Sequence, residues 1–200
     1  MRLFSYVVRY DIGFAPNPFY GWCTLATCKQ DIRAHAGVGD WIVGTGSAST
    51  GLGDRLVYAM TVEETTTFDE YWADSRFAHK RPNLHGSLKQ QYGDNIYHRD
   101  VDGRWIQEDS RHSHDDGTPN EGHIVRDTKA DVVLLSRKFV YFGGDGPAIP
   151  AHLRGEEDLV HGRPAYRVNF SASFVAAAIG WIESLGTGVL GTPRDWPKLL

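Results

Sequence analysis

Two strand-like runs set close together limit what this chain can fold into more than any other feature. Asp40-Trp41-Ile42-Val43-Gly44-Thr45-Gly46-Ser47 leads into a turn of small residues up to Asp54, and residues 55–63 return as a second apolar, β-branched run. Such a pair reads as a β-hairpin. The Gly-rich middle does not read as a phosphate loop. A dinucleotide fingerprint needs glycine at position 49, where Ser49 stands, and a Walker loop needs lysine after Gly51, where Leu52 stands. Around the hairpin, residues 3–10 read as a strand and 28–36 as a short helix stopped by Gly37 and Gly39. Residues 67–77 read as a helix carrying Phe68, Tyr71, Trp72 and Phe77. Residues 131–136 and 138–142 read as strands, and 171–185 as an amphipathic helix closed by Gly186. Strands cluster instead of alternating with helices, which predicts an α+β fold in a single domain. Residues 78–130 are rich in Gly, Asp, His, Asn and Pro. A structureless gap of that length is improbable inside a domain, so short strands at 95–99 and 104–107 are expected within a loop-rich insertion covering one face.

Composition narrows the function classes. With 41% hydrophobic and 23% charged residues, 200 residues can bury a full core without staples. No apolar run reaches the roughly 18 to 20 residues that span a bilayer. The first ten residues place charges too close together for a signal-peptide core, so a cytoplasmic protein with no membrane partner is expected. A net charge of −4 disfavours a grip on duplex DNA through its phosphates but is compatible with one nucleotide pocket.

Several residue sets could carry chemistry. Cys23 and Cys28 lack a second pair, so they read as reduced thiols and not as half of a zinc site. His112-Ser113-His114-Asp115-Asp116 with His123 is the only histidine cluster, but its Asp and Gly neighbours suggest a loop, and no metal is expected. There is no Gly-x-Ser-x-Gly elbow, while a spatial pairing of Cys23 or Cys28 with a histidine stays open. Asp11, Asp94 and His112 are candidate acid–base groups, and Cys28 a candidate nucleophile. His98-Arg99-Asp100 imitates a kinase catalytic loop without the rest of that signature. The loop holding Phe14, Phe19, Tyr20 and Trp22 also carries Asn17, with Asp11 before it and Thr24 and Lys29 after. Flat rings beside a few amide and hydroxyl groups suit the face and edge of a nucleobase. Between residues 76 and 111, basic and aromatic residues interleave, but Asp94, Asp100, Asp102, Glu108 and Asp109 offset the charge, and a solvated face explains the stretch as well.

The run Val38 to Ser47, followed by Leu56-Val57-Tyr58-Ala59-Met60-Thr61-Val62-Glu63-Glu64, resembles the PUA-like domains, which include the EVE, YTH and ASCH types. That resemblance implies a small β-barrel with flanking helices. A longer set is more distinctive: Tyr10-Asp11-Ile12-Gly13-Phe14-Ala15-Pro16-Asn17-Pro18-Phe19, Cys23 to Lys29, Tyr92-Gly93-Asp94-Asn95-Ile96-Tyr97, and Ser136 to Gly143. Over nearly the whole chain it resembles the nucleotide-modification-associated domain family, second type. The resemblance implies a place in phage or bacterial systems that handle modified DNA bases. Joined to the PUA-like pattern, it implies a base pocket in which Phe14, Phe19, Tyr20 and Trp22 hold the ring. Asn17 with Thr45 or Ser47 would read its edge, beside Thr24 and Gly46. Lys29 would balance a phosphate, and Asp94, Asn95 and Tyr97 would come from the covering loops. The leading expectation is therefore a module, without cofactor, that binds a modified nucleotide or a flipped or single-stranded base. An enzyme acting on a modified nucleotide through Asp11, Asp94, His112 or Cys28 is the alternative. The second alternative is a subunit that meets a protein partner of such a system through Trp105, Trp181 and Trp196.

Overall fold

The computed structural model describes residues 1–162 and 165–196. In chain order it begins with β1 (Leu3–Val8), β2 (Cys23–Leu25), α1 (Gln30–His35), β3 (Trp41–Gly46), β4 (Leu56–Thr61), β5 (Glu64–Thr66) and α2 (Phe68–Ala73). Then come α3 (Leu88–Gln91), β6 (Tyr97–Arg99), β7 (Trp105–Gln107), α4 (Glu121–Thr128), β8 (Val133–Ser136), β9 (Phe139–Gly143), α5 (Ala172–Glu183) and β10 (Gly188–Thr192). The fold is α+β, as expected. The chain divides into two compact units, one of Met1–Ile12, Ala36–Glu63 and Ser136–Leu200, the other of Gly13–His35 and Glu64–Leu135.

The first unit contains the expected hairpin, with β3 antiparallel to β4 in a five-stranded sheet ordered β1-β3-β4-β9-β10. β1 lies parallel to β3 and β10 parallel to β9, so β1 and β10 are edges, and among the described residues the sheet does not close into the expected barrel. Gly44 is needed in β3 because a Cβ there would meet the Tyr58 ring at 2.3 Å. The helix expected near the C-terminus forms as α5, where the Ser171 side chain accepts from Phe174 N. Its Phe174, Val175, Ala178 and Ile182 pack on Leu3, Trp41, Val43 and Val140 of the sheet.

In the second unit, β2, β8 and β5 form a three-stranded sheet, and β6 pairs with β7 as a ribbon. The helix expected at 67–77 is shorter. A capping box between Thr67 and Glu70 starts α2, but Asp74 adopts an extended conformation and caps a separate 3-10 segment, Ser75–Lys80. The region 78–130 holds the two expected short strands and also α3 and α4, which were not expected. In α4 the Asn120 side chain accepts from His123 N, while only Ile124 and Asp127 are buried. No helix of the described residues is long and apolar enough to cross a membrane.

Candidate active site

A turn between β2 and α1 presents Cys28. Cys28 has φ 55° and Lys29 φ 42°, both left-handed, which costs an L-residue about 1–2 kcal/mol each. The turn is held from both sides of its strained bonds. Cys28 N donates to Asp127 Oδ1 at 3.2 Å, and Arg33 Nε donates to Cys28 O at 2.9 Å. The same buried guanidinium donates to the carbonyls of Asp127, Ala130 and Val132, so it ties the turn to the end of α4. Burial lowers Arg33 to about 10, countered by Asp127, and it stays charged at neutral pH.

Beside the turn lies a linear relay. His112 Nε2 is 3.6 Å from Cys28 Sγ, and His112 Nδ1 is 2.8 Å from Asp127 Oδ2. Tyr97 OH donates to the same carboxylate oxygen at 3.0 Å, and Arg126 Nε to the other at 3.1 Å. Gln107 Nε2 donates to the Tyr97 hydroxyl and to His112 O, fixing the segment that carries the histidine. Asp127 is fully buried and His112 nearly so, while Cys28 is partly exposed. The Phe14 ring meets His112 edge-on at 4.8 Å, and His123 does so at 4.3 Å. Burial of His112 opposes its protonation, but the hydrogen bonds to Asp127 and to the thiol outweigh it and raise the imidazole to about 9. Burial works against the Asp127 carboxylate too, yet His112 and then Arg126 hold it below its ordinary value. At neutral pH the site therefore sets a carboxylate against an imidazolium, and that imidazolium faces Cys28 Sγ. A sulfur, an imidazole and a buried carboxylate in this sequence are an arrangement able to activate a cysteine.

The donor atoms of Cys28, His112 and Asp127 lie within 4.8 Å of one another, which raises a metal centre as a reading of the same residues. In the arrangement described, thiol and carboxylate bond different ring nitrogens of His112, which is the geometry of a hydrogen-bonded chain.

Comparison with known proteins places the chain. A family model described as nucleotide modification associated domain 2 matches residues 1–199. The chain belongs to that family. No curated protein and no solved structure matches it.

In this nucleotide modification associated domain, Cys28, His112 and Tyr97 of the expected site residues meet in the relay, with Phe14 against the histidine. Asn17, Thr24, Asp94 and Asn95 lie in a second, fully buried network. Lys80 Nζ donates there to Asn17 O, Asn17 Oδ1 and Trp22 O, and Asn17 Nδ2 donates to Tyr92 O. Thr24 Oγ1 and Tyr71 OH donate to Asp94, while Asn95 Nδ2 donates to Tyr71 O. Burial lowers Lys80 to about 8 against the pull of Asp94, and raises Asp94 against that of Lys80. Cys23 is also buried there, and burial pushes its thiol well up. Phe19 is buried, Trp22 packs edge-on to Phe77, and Tyr20 stacks on His79. Burial lowers Lys29, with Cys28 opposing.

Of the remaining candidates, all but Trp105 belong to the first unit. Asp11 accepts from Tyr141 OH and Arg194 N. Thr45 Oγ1 donates to Tyr6 O, Gly46 is buried in β3, and Ser47 bonds Ser49. Trp105, Trp181 and Trp196 are all partly buried. Sequence reasoning missed Asp127 and Arg126, and weighed His123 only as part of a histidine cluster for metal. His123, Arg126 and Asp127 stand at i, i+3 and i+4 of α4, a spacing that puts them on one face once the helix is recognised.

Proposed function

We propose that this protein is a thiol-dependent enzyme that cleaves or transfers an ester- or amide-linked group carried by a modified nucleotide. The Cys28–His112–Asp127 relay carries the reading, and the family supplies the nucleotide theme. The Cys28 thiolate attacks the carbonyl carbon, forming a C–S bond and a tetrahedral oxyanion. His112 gives its proton to the leaving oxygen or nitrogen as that bond breaks, and a thioester remains on Cys28. Water then attacks the thioester, His112 takes its proton, and the thiolate leaves with the carboxylic acid released. Asp127 stays ionised throughout and holds the imidazole in orientation. Phe14 and Lys29, two of the residues expected to hold the nucleotide, border this chemistry.

Alkylation by iodoacetamide at pH 7, followed by peptide mass spectrometry, tests the nucleophile. Cys28 is expected to react at least about tenfold faster than an ordinary cysteine, and His112→Ala to remove that advantage. A Cys28 no faster than free cysteine, and indifferent to His112→Ala, would overturn the reading.

A further inference from the structure

The positive charge around Cys28 exceeds what the relay needs. Lys29, Arg33, His112 and Arg126 are all within electrostatic reach of the thiol, and of these Arg33 holds the Cys28 carbonyl while His112 faces the sulfur. Asp127 is the one acid of the relay, and Asp131, which Arg33 also feels, is already paired with Arg99. Arg33 spends its guanidinium on four backbone carbonyls, so its charge stays fixed beneath the turn.

Arg126 is different. It bonds Asp127 through Nε alone, its side chain is 40% exposed, and among the described residues neither terminal nitrogen has a hydrogen-bond partner. One turn earlier on the same face, His123 leaves Nδ1 buried without a partner while its ring packs edge-on to His112. A buried polar nitrogen without a partner is costly, and a guanidinium held by one arm keeps its two-pronged edge open. Both lie on the face of α4 that carries Asp127.

We infer that Arg126, assisted by His123, seats a phosphate of the substrate next to the thiol. The inference rests on the thiol-enzyme reading and deepens it. Two parallel N–H groups fit two phosphate oxygens, and the anion would fix the distance between the nucleotide and Cys28. It also explains why the acid of the relay tolerates a second cation beside it, since the excess charge is matched when the substrate arrives.

The test compares two alkylating agents that differ in charge. With the whole protein, iodoacetate should modify Cys28 faster relative to iodoacetamide than it modifies free cysteine. Arg126→Ala should lower that ratio about tenfold, with the iodoacetamide rate of the same variant as the internal reference for any change in the relay itself. Any preference that survives belongs to His112, Lys29 and Arg33 together. Arg126→Gln, which keeps a donor for Asp127, should behave likewise, and circular dichroism reports whether either variant folds. Inorganic phosphate should slow iodoacetamide in the wild type but not in Arg126→Ala. An unchanged ratio in both folded variants would overturn the inference and leave the nucleophile standing. Protection by acetate and not by phosphate would overturn the phosphate assignment in favour of a carboxylate. A wild-type Cys28 as slow as free cysteine toward iodoacetamide would remove the underlying reading, and this inference with it.

Discussion

His112 links the chemistry of the site to stability. Its imidazole is raised to about 9 in the folded chain and returns to its ordinary value near 6.5 on unfolding. The folded state therefore holds a proton that the unfolded state releases, so this contribution is complete below pH 6.5 and is lost as pH rises toward 9. Integrated over that window it is about 3 kcal/mol. Lys80, lowered to about 8, has the opposite sign, because above that pH the unfolded chain binds the extra proton. Urea midpoints of wild type and His112→Asn, taken at pH 6 and 9, separate the two effects. The stability difference between them should shrink with pH while Lys80 cancels. The same scale explains how Cys28 and His112 could be picked out from sequence and Asp127 could not. Thiols and imidazoles stand out by residue type, whereas a carboxylate 99 residues from the cysteine is one of many acids until the fold selects it.

At the scale of elements, the apolar patterns were legible. The hairpin of β3 and β4, strand β1 and helix α5 follow from runs whose period matches their burial. Helix α4 was hidden because Ile124 is its only buried apolar side chain and its working face is polar. β2 and β5 are three residues each and β10 is mostly exposed, too little pattern to read. The 12–25 loop was legible in composition but not in purpose, since Lys80 enters it from a 3-10 segment and collects its carbonyls. Lys80→Met would leave Asp94 buried without its neighbouring cation and remove one donor from each of three acceptors, Asn17 O, Asn17 Oδ1 and Trp22 O. A loss of about 3–5 kcal/mol is expected in chemical denaturation. Asp94→Asn added to that variant should restore part of it.

For the whole molecule, two discontinuous units share one chain. The first keeps a sheet in which β4 lies beside β9, almost eighty residues further on, and the second is drawn from two separate stretches. Nothing in composition marks these boundaries, because both units draw on the same mixture of aromatic and polar residues. Net charge does speak at this scale. At −4 the protein should not retain plain duplex DNA at physiological salt in a gel-shift titration, whereas small phosphate-bearing ligands should still protect Cys28.

Distance along the chain has a further consequence during synthesis. Cys28 leaves the ribosome 84 residues before His112 and 99 before Asp127. At about 5 to 20 residues per second, the thiol waits roughly 5 to 20 s for the rest of its relay. Until Arg33 can reach the carbonyls at 127, 130 and 132, the nascent chain carries an unactivated cysteine. On the proposed reading, nucleophilicity is thus switched on by the completion of the second unit, and an unfinished polypeptide is spared that chemistry.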